Sequence, residues 1–250
     1  MFDFPNKANA SGLFSAPHYI SSAICVLLIA LFVFLSRKIS DRALLLVTRV
    51  LAIAIGTLEV IKIIFKLAIG EGVIIDHWVP LFYCSLFIYA LFMCGFGKGV
   101  IYKIGCVFLM TGCAIPGLLF LIFPVTSLPD YPYYHFISLH SMLFHSSMVY
   151  LGIIYLKKSY VAFSKRSYLY YVIFVSVPIL LSLILNPIFD SNLMLIDNPV
   201  NLPIELIYQI YQAVPFVYTL GACLLYLTAP YFITLGAFAL YTAIKRRKAG

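Results

Sequence analysis

The sequence predicts an all-α polytopic membrane protein, a bundle of seven transmembrane helices with the N-terminus outside and the C-terminus cytoplasmic. Three observations carry that prediction. Hydrophobic residues make up 63% of the chain and charged residues 10%, with a mean hydropathy of +1.03. A soluble domain of 250 residues cannot hide that much apolar surface, because ordinary soluble chains carry about 25% charged residues. The few charges stand between apolar runs of about 18 to 26 residues, the length a helix needs to cross a bilayer. The alternation of polar and apolar positions that marks a membrane barrel is missing.

The apolar runs fall near residues 18–36, 43–69, 78–96, 100–122, 136–156 and 167–186, with a last stretch between 204 and 244. Together they make one transmembrane domain over residues 1–250. The last stretch is too long for one crossing, since roughly 40 helical residues would reach about 60 Å, twice the hydrocarbon thickness. Residues near 203–218, interrupted at Pro215, are therefore expected on the surface or as a re-entrant piece, with one closing helix after them. Arg37, Lys38 and Arg42 follow the first run, Lys98 and Lys103 the third, Lys157, Lys158, Lys165 and Arg166 the fifth, and Lys245 to Lys248 the last. The positive-inside rule puts these clusters in the cytoplasm. Alternate connections hold Glu71 and Asp76, then Asp130, then Asp190 and Asp197, without a lysine or arginine. An odd number of crossings satisfies every loop. Met1 to Pro17 has one lysine and no small-residue cleavage pattern follows, so no removable signal peptide is expected. These features fit an integral protein of a bacterial plasma membrane, and an internal eukaryotic membrane would look similar.

The net charge of +8 is spread over four membrane edges, not interleaved on one face. It reads as a topology signal and as contact with anionic headgroups, and no nucleic-acid partner is expected. Membrane phospholipids are the expected partners. Cys25, Cys84, Cys94, Cys106, Cys113 and Cys223 all lie in apolar runs, so no disulfide framework or zinc knuckle is implied. Buried cysteine commonly packs as a small hydrophobe. No HxxxH or HExxH pair joins His77, His140 and His145, and neither a metal nor another cofactor is expected.

Polar residues inside the apolar runs are informative, because an ionisable side chain in hydrocarbon costs about 2.5 kcal/mol or more unless partnered. Glu59, Lys62 and Lys66 stand on one face of the second run. Cys84 follows the interface anchor Trp78 by six residues, about 9 Å of helix rise. His140 and His145 lie in the outward half of the fifth run, and Asn186 ends the sixth on the same side. A thiol becomes a nucleophile once a base takes its proton, and neutral histidine is such a base. Glu59, Asn186 or Ser141 could orient that histidine, and Lys62 could stabilise an oxyanion or hold a phosphate. His140 and His145 are about 140° apart around a helix, so only one of them is expected to face Cys84. Plainer readings stand beside these. Cys84 packs, the histidines brace neighbouring helices, and Glu59 with Lys62 forms an internal ion pair that fixes packing.

The order of features resembles the YwaF-like integral membrane family, which is related to the eukaryotic lipid acyltransferase transmembrane protein 164. The resemblance rests on Arg49 with Glu59 and Lys62, on Pro80-Leu81-Phe82-Tyr83-Cys84-Ser85, on His140-Ser141-Met142-Leu143-Phe144-His145, and on Asn192-Leu193-Met194-Leu195. It implies a seven-helix protein in which Cys84 corresponds to the acyl-accepting cysteine and His145 to its partner base, with His140 the weaker candidate. Where the family has a tyrosine-containing loop, this chain reads Asn192-Leu193-Met194-Leu195. The leading expectation is acyl transfer or ester cleavage on a membrane lipid, with Glu59, Lys62, Asn186 and Asn192 in binding or supporting roles. The alternative is a non-enzymatic transporter, receptor or structural protein with an intramembrane polar pathway.

Overall fold

The computed structural model describes residues 9–69, 75–200 and 204–247. Lys7, Glu71, Asn201 and Lys248 lie outside the described residues, and so does the side chain of His77. The described residues are helices and turns without strands. In chain order the helices are α1 (Ala16–Leu35), α2 (Asp41–Ala68), α3 (Leu86–Phe96), α4 (Gly99–Thr111), α5 (Ala114–Ile122), α6 (Phe136–Lys158), α7 (Lys165–Phe189), α8 (Glu205–Ala213) and α9 (Pro215–Arg247).

Local chemistry sets the helix ends. Ser15 and Ser40 accept the backbone N–H of His18 and Ala43 at the starts of α1 and α2. Ser164 and Ser167 form a reciprocal capping box at the start of α7. Pro215 has no N–H to leave unpaired at the first position of α9, which separates that helix from α8.

Among the described residues, six helices are long and apolar enough to cross a membrane, α4 and α5 together making one of them. Their burial differs sharply. In the most apolar window, 67% of the residues of α6 and of the α4–α5 pair are buried, against 6% in α1 and 17% in α9. The first set forms the interior, and the second presents side chains such as Leu27, Leu35 and Leu225 outward, where only hydrocarbon would accommodate them.

Two of the expected crossings are not continuous helices. The run near 78–96 is helical only from Leu86, so α3 has 11 residues, about 16 Å and half a hydrocarbon core. Pro80 explains the loss: it lacks an N–H and pushes the preceding residue out of the helical region. The run near 100–122 breaks at Gly112 and Cys113, four residues before Pro116 would crowd the carbonyl of Gly112. Seven full-length helices are therefore not what the chain builds.

Glycines let the inner helices approach closely. A Cβ on Gly105 of α4 would lie 2.9 Å from the Ala90 carbonyl oxygen of α3, and one on Gly152 of α6 would lie 2.8 Å from the backbone nitrogen of Ala114. Gly152→Val should cost about 1–3 kcal/mol through overpacking and lower the thermal midpoint in detergent. Gly221→Ala, on α9 where a Cβ meets nothing within 4 Å, should leave that midpoint unchanged or raise it slightly.

Candidate active site

The segment ahead of α3 carries Cys84 and is held by short turns. The N–H groups of Ser85, Leu86 and Phe87 donate to the carbonyls of Phe82, Tyr83 and Cys84 at 2.9, 3.2 and 3.0 Å. The Tyr89 hydroxyl donates to the Pro80 carbonyl at 3.1 Å. Beside the thiol, the Tyr83 ring stacks on Tyr226 of α9 at 5.0 Å, and its hydroxyl meets that of Tyr171 of α7 at 2.8 Å. Tyr171 in turn donates to the Tyr226 carbonyl at 2.7 Å. These three tyrosines pin the irregular segment to α7 and α9. The sequence reading passed over them, although Tyr83 adjoins Cys84.

On α2, Lys62 donates to Glu59 Oε1 at 2.5 Å. The carboxylate side is 6% exposed and the ammonium side 25%, so this is a partly buried ion pair with its cation nearer the rim. The remaining oxygen of Glu59 faces α6, where Oε2 stands 3.5 Å from Nε2 of His140. That is an ion-pair distance without hydrogen-bond geometry. Both ring nitrogens of His140 are buried and, among the described residues, make no hydrogen bond. One turn further along α6, Phe144 packs on the His140 ring at 5.9 Å and edge-on against Phe87 of α3 at 5.5 Å. The first turn of α3 therefore meets the third turn of α6, one turn beyond the His140 that faces the ion pair.

His145 has different surroundings. Its ring lies flat on Phe120 of α5, with centroids 3.5 Å apart and planes 6° from parallel. Its Nδ1 donates to the Ser141 carbonyl at 2.8 Å, which leaves Nε2 as the acceptor of a neutral ring. Gly117 of α5 explains this seat, since a Cβ there would lie 2.9 Å from the His145 carbonyl oxygen. The His145 side of α6 is thus the α5 side, and the His140 side is the α2 side.

Asn186 and Asn192 do not join this group; they brace the loop after α7. Asn186 Oδ1 accepts from the Ser191 hydroxyl at 3.0 Å and the Leu193 N–H at 2.9 Å, and its amide donates to the Leu193 carbonyl at 3.2 Å. The Asn192 N–H donates to Asp76 at 2.9 Å, and its side chain bonds Asp197 and Asn198. Lys66, on the same face of α2, donates to the Tyr131 hydroxyl at 2.8 Å.

The chain matches the model of the TMEM164 family over residues 13–242. It belongs to the TMEM164 family. No curated protein and no solved structure matches it. Membership makes it a TMEM164-family membrane protein, and the matched span contains the whole of the Cys84, Glu59, Lys62 and His140 group.

Charge removal on α2 tests how this TMEM164-family site is held. Lys62→Met leaves the Glu59 charge buried and should destabilise by about 3 kcal/mol, because an unpaired buried charge loses its compensation. Lys62→Met with Glu59→Gln should recover most of that loss in a thermal or denaturant unfolding cycle. Equal stability of all three proteins would mean that the pair carries no coupling.

Proposed function

We propose that the protein is a cysteine-dependent acyltransferase or ester hydrolase acting on membrane lipids. The observation that carries this reading is that three segments approach one another: the Lys62–Glu59 pair on α2 faces His140 on α6, and Phe144, one turn beyond His140, meets Phe87 of α3, three residues after Cys84. Each supplies a part that thiol acyl transfer needs.

In this mechanism His140, with its ring nitrogens unengaged, takes the proton from the Cys84 thiol. Glu59 stabilises and orients the imidazolium, and Lys62 stabilises the thiolate. The thiolate attacks the carbonyl carbon of a lipid ester, and the new carbon–sulfur bond places negative charge on the former carbonyl oxygen. Lys62 is the nearest cation for that oxyanion. Collapse breaks the ester carbon–oxygen bond, and the leaving alcohol collects the proton from His140. A second lipid hydroxyl, or water, then attacks the thioester with His140 again as base. The acyl group leaves and the thiol is restored. His145, seated on Phe120 with Nδ1 committed to Ser141, is a brace between α5 and α6 in this scheme, and the roles of the two histidines are the reverse of those the family resemblance implies.

The same proposal takes the irregular segment and α3 together as one pass, which gives seven passes in all. The positive-inside rule then leaves the N-terminus outside and the Cys84 group nearer the outer face of a plasma membrane. Phospholipids are the partners that this depth offers.

A non-enzymatic reading uses the same residues as a packing brace or polar pathway, and the partly buried Lys62–Glu59 pair is the observation in its favour. Intact-protein mass spectrometry after incubation with mixed phospholipids separates the two. The expected result is an acyl adduct on the wild type that is absent from Cys84→Ser and formed about 100-fold more slowly or worse by His140→Ala, with a smaller change in His145→Ala. A wild type that stays bare, or an adduct that survives in Cys84→Ser, overturns the acyl-transfer reading.

A further inference from the structure

The end of the bundle away from Cys84 holds two neighbouring cavities. The first, of about 270 Å³, lies between the start of α4 and the start of α7, with Lys103, Ser164 and Arg166 in its wall. No carboxylate lines it among the described residues. Arg166 is held in place there, its Nε donating to the Tyr170 hydroxyl at 2.7 Å while the guanidinium lies over the same ring. The second, of about 350 Å³, opens between α2 and α4, with Asp41 and Arg42 in its wall beside Leu45, Tyr102 and Tyr155. Tyr160 belongs to both walls. Its hydroxyl donates to Asp41 at 2.8 Å, and Lys158 pairs with the same carboxylate oxygen at 2.8 Å. Partial burial and the bond to Asp41 hold the Tyr160 hydroxyl above its ordinary titration range, so it remains a donor. The one carboxylate near the cavities is therefore already neutralised.

We propose that these two cavities form a binding site for an anionic phospholipid, its phosphate between Lys103 and Arg166 and the start of an acyl chain along Leu45, Tyr102 and Tyr155. Charge and position favour this occupant. Two cations face a cavity without opposing charge, and Lys103 sits four residues into α4, about 6 Å along the helix, at the depth where headgroup phosphates meet the first methylenes. A free phosphate would use the first cavity alone. The lipid would use both, which adjoin at Tyr160. Basic pockets between membrane helices are a recurrent form of headgroup recognition. This site is separate from the thiol group, because α3 runs between Cys84 and the turn into α4. Its occupant would be a resident or regulatory lipid and not the acyl donor.

The test measures thermal midpoints and native-mass-spectrometry lipid retention of the purified full chain with phosphatidylglycerol, phosphatidylcholine or inorganic phosphate added. Phosphatidylglycerol should be retained and should raise the midpoint, and phosphatidylcholine and inorganic phosphate should do so much less. Lys103→Gln with Arg166→Gln should weaken retention about 25-fold, from roughly fivefold per cation. Ala162→Glu, which puts a carboxylate into the first cavity from an exposed position, should weaken it as well and keeps the test valid if the double variant fails to fold. Lys245→Gln, Arg246→Gln and Arg247→Gln together, outside the cavities, should retain the lipid. Equal retention of the two lipids, or undiminished retention in Ala162→Glu, overturns the site. An equal effect of inorganic phosphate shows an anion site without lipid recognition and overturns the acyl-chain half of the proposal.

Discussion

A backbone N–H or carbonyl in hydrocarbon has no water to bond, so non-helical chain at membrane depth survives only where protein shelters it. Much of this structure answers that constraint at one place. Pro80 denies the third apolar run a continuous helix, and residues 78–85 would leave peptide groups unpaired wherever they faced lipid. Tyr83 and Ser85 are buried and residues 79–82 and Cys84 partly so, with Trp78 exposed at the start. The turn bonds from Ser85, Leu86 and Phe87 and the Tyr89 hydroxyl on Pro80 satisfy part of the segment locally. The Tyr83, Tyr171 and Tyr226 cluster ties the rest to α7 and α9. An unwound stretch so covered keeps its side chains in fixed directions, and a thiol at its end is better positioned than one on a helix free to rotate.

The Lys62–Glu59 pair follows from the same economy of polar groups. An isolated ion pair inside a membrane protein gains little over well-packed apolar residues, since desolvation offsets most of the attraction. Here Glu59 also serves a second neighbour, presenting its other oxygen to His140. Under the acyl-transfer reading that contact orients the histidine, whereas a packing brace needs only Lys62 and Glu59.

How much of this could be read in the chain differs by level. The all-helical membrane class needed nothing beyond composition and run length, because no other structure hides a chain that is 63% hydrophobic. The two discontinuities were marked by Pro80, Gly112 and Pro116, but hydropathy averages over single residues and hides them. The i, i+3 spacing put Glu59 and Lys62 together before any coordinates did. The choice between His140 and His145 was not legible, because it depends on how α6 is rotated. That rotation is set by Gly117 and Gly152, whose missing side chains let α5 press against the His145 face and turn His140 toward α2. Asn186 and Asn192 are spent as structural braces, within the loop after α7 and, through the Asn192 N–H, on Asp76 ahead of α3.

That loop bears on how a lipid could reach the thiol. Met194 and Leu195 both have left-handed backbone, with φ of 61° and 54°, a conformation that costs a side-chain-bearing residue about 1–2 kcal/mol. Leu193 and Met194 are fully buried, and Met194 belongs to the same apolar cluster against which Cys84 packs. The strain persists because Asn186, the Asn192–Asp76 bond and the Tyr218 hydroxyl on the Leu195 carbonyl all hold the turn down. A loop that only linked α7 to α8 would relax outward. One held inward against strain keeps Met194 in the apolar cluster against which Cys84 packs. Under the acyl-transfer reading, an ester that reached Cys84 past this loop would have to move Met194, whereas one entering from the lipid phase between the apolar outer faces of the helices would not.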